Sequence, residues 1–187
     1  LATKLKQTED LSEEQVRELF FAGLQRLYAA YGQNEAASVA NGEDAHDQEL
    51  KRTLQTGTKK DHEQGKRLLV VFEAVGLKPD AAQAQKQSDS GVLEAGREEI
   101  AAAEEGMPRD LVIIAAEQAF AQACLVELVP LHTHARVLKN DQVARHLHRM
   151  MNDTKQLEET VTKLAARLIK QASAVAAASV QELPEPV

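Results

Sequence analysis

Few side chains in this chain of 187 residues are suited to chemistry, and their spacing limits what they can do. It has one cysteine, Cys124, and six histidines. His132-x-His134 and His146-x-His148 are each spaced by two. Residues two apart on a helix do not face one another, so neither pair makes a helical clamp for zinc. Solvated surface imidazoles are the plainer reading, although Pro130 loosens the backbone beside His132 and His134 and leaves room for a site there. Cys124 lies in an apolar stretch, where a thiol pKa rises, which suits a small core residue better than a nucleophile. Asp61 falls on an apolar stripe, and Glu127 follows Cys124 by three residues. His62 adjoins Asp61 but points about 100° away around a helix. Asp61, Cys124 and Glu127 are therefore the candidate metal ligands or pocket residues. The competing reading makes them partly exposed or hydrogen-bonded positions. A buried carboxylate is costly without hydrogen bonds, and Tyr31, Gln64 and Thr154 are the expected partners for Asp61. The sequence contains no Gly-rich phosphate loop, Ser-His-Asp order or Cys-x-x-Cys pair.

The elements that position these residues read as helices. Ser12-Glu13-Glu14-Gln15 is a capping box. Val16, Leu19, Phe20, Leu24, Leu27 and Tyr31 follow at three- and four-residue spacing, predicting a helix to about Val39 with Asn41-Gly42 as its stop. A second helix is predicted from Asp44 or Ala45 to Val75, with the stripe Leu50, Leu54, Thr58, Asp61, Gly65, Leu68, Phe72 and Val75. Gly76 and Pro79 end it. Gly57 and Gly65 each cost about 1 kcal/mol in a helix, which suggests close packing there. Residues 77 to 90 read as a connection and Gly91 to Glu105 as a short helix, broken at Gly106-Met107-Pro108. The next helix is predicted from a cap at Asp110 to Leu138, with Ile113, Ala116, Phe120, Cys124 and Leu131 inward and a kink at Pro130. Asn140-Asp141 caps the last helix, whose stripe is Val143, Leu147, Met150, Thr154, Leu157, Val161, Leu164 and Leu168. Residues 1 to 11 are expected to fray, 12 to 170 to form the bundle, and 171 to 187 to be an Ala/Ser/Pro tail in which the last helix can continue.

Aromatics make up only 3% of the chain, and Ala, Leu, Glu, Gln and Lys dominate, which favours long helices over sheet. A net charge of -7 with scattered basic residues argues against a nucleic-acid partner. No apolar run is read as a membrane span. A single cysteine permits no intrachain disulfide, which is compatible with a reducing cytoplasm. Helices far longer than the usual 11 or 12 residues or so, with a connection long enough to cross the molecule, predict an all-α, ferritin-like four-helix bundle whose crossover carries a short extra helix.

Three segments carry a family resemblance. Leu19-Phe20 with Leu24-Gln25-Arg26-Leu27-Tyr28 resembles the opening helix of the YciF-like family of bacterial ferritin-like stress proteins. Arg67-Leu68 with Val71-Phe72-Glu73-Ala74-Val75-Gly76-Leu77-Lys78-Pro79 resembles the end of its second helix. Ile114-Ala115-Ala116 with Gln118, and Asp153 through Lys163-Leu164-Ala165, fit its third and fourth. The resemblance implies a bundle whose interior could hold two iron ions on acids and histidines. By the same resemblance, the ligand positions fall at Gly23 and Tyr31, at Asp61 and Gln64, at Ala121 with Cys124 or Gln122, and at Asp153 or Thr154. Most of the set is missing, and no one-residue shift restores an acid on the first helix. The expectation is a non-catalytic member with a degenerate di-metal site and no cofactor, acting as a homodimer or by partner binding in a bacterial stress-related role. The alternative is an iron- or manganese-binding oxidative protein rearranged around Asp61, Cys124 and Glu127.

Overall fold

A computed structural model describes residues 12–80 and 91–181. Five helices follow in order: α1 Glu13–Asp44, α2 Gln48–Ala74, α3 Gly91–Ala102, α4 Met107–Val137 and α5 Asp141–Gln181. The fold is all-helical, as expected, with no strand among the described residues. Residues 1–11, 81–90 and 182–187 lie outside the described residues, and with them the predicted fraying and most of the predicted connection.

The four long helices form a bundle, and their cross-links give its topology. Asn34 of α1 meets Asp61 of α2, and Tyr28 meets Phe72, so these two run antiparallel. Gln118 and Gln122 of α4 meet Thr162 and Glu158 of α5, so that pair is antiparallel as well. Arg26 pairs with Glu127, and Ser38 with Glu117, which sets α1 antiparallel to α4. Hence α2 and α4 run the same way, and the chain must travel the length of the bundle between them. The helix α3 makes that passage in the groove between α1 and α4. At Gly96 it comes so close that an added Cβ would lie 3.1 Å from Ala116 Cβ.

Local chemistry explains most helix ends. The Ser12/Gln15 capping box forms in both directions. Helix α2 closes in a Schellman turn, with Gly76 at φ 71° and Leu77 N–H donating to the Phe72 carbonyl at 2.9 Å. Asn140 accepts from Val143 N–H and caps α5. Other ends differ from the sequence reading. Helix α1 continues through Asn41-Gly42 to Asp44 because Asn41 turns inward and its amide is held by Glu117. Helix α2 starts at Gln48, capped by Asp47. Helix α3 stops at Ala102 rather than Glu105, whereas α5 continues into the tail to Gln181, as the sequence allowed. Asp110 does not cap its own helix. Its carboxylate accepts from the backbone N–H groups of His46 and Asp47 at 2.6 and 2.9 Å, pinning the α1–α2 turn to α4. Helix α4 continues without a break through Pro130.

The core divides into two apolar halves. The half nearer the start of α1 holds Phe20, Leu24, Leu68, Phe72, Leu128 and Leu147. The far half holds Leu50, Leu54, Ile100, Ile113, Val161 and Leu168. Helix α4 contains a window with mean hydropathy 1.6, long and apolar enough to span a membrane by composition, contrary to the sequence reading. Three neighbours, α1, α3 and α5, pack on it and cover part of that apolar surface. The expected close packing at Gly57 and Gly65 is absent. A Cβ on Gly57 would meet Leu157 at an ordinary 3.9 Å, and one on Gly65 would meet nothing within 4 Å. Among the four long helices a close approach lies at Gly23 instead, where a Cβ would sit 2.9 Å from Leu131 Cδ2.

Gly65→Ala should therefore raise stability by about 0.5–1 kcal/mol, the helical advantage of Ala over Gly with no steric cost. Thermal or urea melts check this, and a lower midpoint would mean that the space beside Gly65 is needed.

Candidate functional site

Between the two apolar halves lies a buried polar layer. Helix α1 supplies Asn34, Ser38 and Asn41, which recur at spacings of four and three and so continue the inward stripe of Leu24, Leu27 and Tyr31. Helix α2 supplies Asp61 and α4 supplies Glu117, exposed by only 4% and 6%. Asn34 Nδ2 donates to Asp61 Oδ2 at 2.8 Å. It also approaches Ser38 Oγ at 3.3 Å, whose hydroxyl donates to Glu117 Oε1 at 3.2 Å. Asn41 Nδ2 donates to the same Glu117 oxygen at 3.1 Å. One hydrogen-bonded chain thus joins three helices through the middle of the bundle.

The electrostatics follow from burial with no buried Lys or Arg among the described residues. Burial pushes Asp61 up to about 7. The charges of Glu117 and Glu35 add to the rise, and the Asn34 bond opposes it. Burial also raises Glu117, against the pull of its bonds from Asn41 and Ser38. Near neutrality Asp61 therefore takes up and releases a proton inside the fold. Beside this layer, Tyr31 stacks edge-on against Phe120 at 5.8 Å, and its hydroxyl lies 3.3 Å from Thr154 Oγ1. Burial holds the Tyr31 hydroxyl and the Cys124 thiol well above their usual ranges, so neither ionises at neutral pH.

The residues singled out from sequence have separate partners. Asp61 is held by Asn34, where Tyr31, Gln64 and Thr154 were expected. Gln64 instead donates to Asp153 Oδ2 at 3.0 Å, alongside Arg67 at 2.7 Å. Burial alone would raise Asp153, but the Arg67 and Gln64 bonds outweigh it and hold the carboxyl below its usual range. Glu127 forms a two-pronged pair with Arg26, at 3.0 and 2.9 Å. Cys124 is buried in the apolar half nearer the start of α1. Among the described residues, no group of three or more His, Cys, Asp and Glu has the arrangement to hold a metal. His62 lies 3.4 Å from Glu35 at the surface.

Glu117, Asn34, Ser38 and Asn41 were not singled out from sequence. Reading Ala116 as inward on α4 displaced Glu117 by one residue; Ala116 faces α3 instead. The period of Ile113, Glu117, Phe120 and Cys124 was available as a signal. Two spaces border Asp61. One, shared with Tyr31, Gln64 and Thr154, is about 10 Å³, the room of one water. The other is an outer cleft of about 350 Å³ between α1 and α2, lined by Tyr28, Gly32, Glu35, His62 and Lys66.

Comparison with known proteins gives the following. The family model described as a domain of unknown function (DUF892) matches residues 15–174. No curated protein sequence matches. The solved structure of the Escherichia coli stress protein YciF is similar, with a TM-score of 0.75 at 22% identity over 83% of this chain and 97% of that one. YcfI, a candidate structural protein from Rhodopseudomonas palustris, gives 0.73 at 22% identity over 83% and 96%. A protein from Xanthomonas campestris gives 0.64 at 17% identity over 90% and 99%.

The pH dependence of stability tests the polar layer. Asp61 is neutral in the fold up to about pH 7 but ionises near 3.8 when unfolded. Its contribution is complete below the lower value and is lost as pH rises through the upper. His132 and His146, both held below their usual range, act oppositely and lose stability as pH falls below 6.5. Asp61→Asn isolates the first effect. The variant should match the native chain near pH 4 and exceed it at pH 8 by on the order of 2 kcal/mol. Urea melts at both pH values read this, and parallel profiles would remove Asp61 from the account. A second outcome concerns Cys124, which should react with a thiol reagent only as fast as the protein unfolds; rapid labelling of the native chain would contradict its burial.

Proposed function

The chain belongs to the DUF892, or YciF-like, family, and from that premise we propose that it is a non-catalytic, ferritin-like bundle acting by self-association in a stress-related role. Its interior carries a hydrogen-bonded polar layer that includes Asp61, one of the ligand positions the resemblance implies. The observation that carries this reading is that α1 meets the buried carboxylates with amide and hydroxyl donors rather than with acids. A di-iron bundle needs a carboxylate from each of two helices and a Glu-x-x-His pair from each of the others. Here the N–H groups of Asn34 and Asn41 point at the oxygens that a cation would need, and their partial positive charge would oppose it. Asp153 and Glu127 are each occupied by an arginine. The remaining space beside Asp61 takes about one water. The residues present do not fit a di-iron centre, and the reading includes neither iron nor manganese.

Support for association comes from the outer face of α4, where Val126, Val129 and Val137 are exposed by 72%, 49% and 59%. Apolar side chains grouped on one helix suit a second copy of the chain. The stress-related role rests on likeness to YciF. The acidic balance argues against nucleic acid, and a single, buried cysteine suits a reducing cytoplasm.

Two measurements test this. After anaerobic incubation with excess ferrous iron and desalting, metal analysis should find far less than one iron per chain. Close to two per chain, with oxygen consumption, would overturn the loss of the centre and favour a rearranged site. Sedimentation equilibrium should give a dimer that Val126→Glu weakens, whereas a monomer at all concentrations would overturn self-association.

A further inference from the structure

The histidine motifs that cannot chelate within one helix meet across two. His132 of α4 and His148 of α5 face each other in the antiparallel hairpin, with ring centroids 5.7 Å apart and planes inclined by 43°. Both rings reach solvent, His148 the more so. Neither takes part in a hydrogen bond or ion pair with another described residue, so their nitrogens are available.

We propose that His132 and His148 form a two-imidazole site for copper(II) or zinc on the α4–α5 face. A metal bound to an imidazole nitrogen at about 2.0–2.1 Å lies about 3.2 Å from the ring centroid. Two such arms span about 5.2 Å at the tetrahedral angle and about 6.4 Å in line. The observed 5.7 Å falls between these limits, so the two rings stand at a separation that one metal ion can bridge. Water completes the coordination. Imidazole must be neutral to ligate. Burial, then His148 and Arg136, hold His132 below its usual range and so keep it in that form. The Arg136 charge on α4 also repels cations in general. The site therefore suits metals that bond strongly to imidazole, copper(II) above zinc, and not calcium or magnesium. Bridging α4 to α5, the metal fastens the hairpin beside its turn. This site is separate from the polar layer, and its metals differ from the iron used to test that layer.

Copper(II) and zinc titrated separately into full-length, tag-free protein provide the test, with binding read by calorimetry and copper also by electron paramagnetic resonance. The expected result is one copper per chain with coupling to two imidazole nitrogens, and a raised melting temperature with either metal. His132→Gln and His148→Gln, each checked for unchanged helical content, should lose at least tenfold in copper affinity. A His134→Gln/His146→Gln double variant should bind as the native chain does. Copper affinity unchanged from the native chain in either single variant, coupling to one nitrogen only, or loss confined to the double variant would overturn the proposal.

Discussion

Burying two carboxylates in the middle of a helical bundle is the constraint on which the rest of this structure depends. Asp61 and Glu117 each lose hydration that a carboxylate gives up only at a cost of several kcal/mol. The fold offsets that cost with three side chains on α1, whose amides and hydroxyl donate into the layer. Burial also raises both acids, which eases the protonation of each inside the fold. A network of this kind is tolerable only when each member is satisfied. It therefore locks the register of α1 against α2 and α4. A slip by one residue would carry Asn34, Ser38 and Asn41 about 100° around the helix.

The same layer explains features that lie outside it. Helix α1 runs on through an Asn-Gly pair because Asn41 is needed inside, opposite Glu117. The two apolar halves of the core are separate because polar side chains divide them. The ends are secured by other polar devices. At the far end, Asp110 reaches from α4 to the backbone of the α1–α2 turn, while Arg167 of α5 binds Asp47 at 2.7 Å. Near the other end, Gln25, fully buried, accepts from Asp80 N–H and donates to the Lys78 carbonyl, holding the start of the crossover. The four long helices are thus registered by a few buried polar contacts, while apolar contact supplies most of the cohesion.

Much of the fold was legible because helical periodicity is a local property. The capping box at Ser12, the exit at Gly76 and the α5 stripe from Val143 to Leu168 all stand as read. The misread ends share one cause. Asn41-Gly42 is a helix stop in isolation, and Asp110 is a plausible N-cap, but each side chain is bound by a residue more than sixty positions away. The candidate site was only half legible. Asp61 stood out because an acid interrupts an apolar stripe. Asn34, Ser38 and Asn41 did not, because polar residues at helical spacing look like a solvated face until a partner helix covers them.

By itself the sequence determined the helical class, the long elements, the crossover and the absence of acids from the inward positions Gly23 and Tyr31 of α1, because each depends on residue type and spacing along one chain. Which buried groups meet was decided by tertiary structure. The pairing of Asp61 with Asn34, the burial of Glu117, the capture of Asp153 and Glu127 by arginines, and the facing of His132 and His148 all join residues on different helices. Hydrogen bonds and metal coordination act over about 3 Å or less. A single chain read residue by residue carries no information at that range about positions that only the folded bundle brings together.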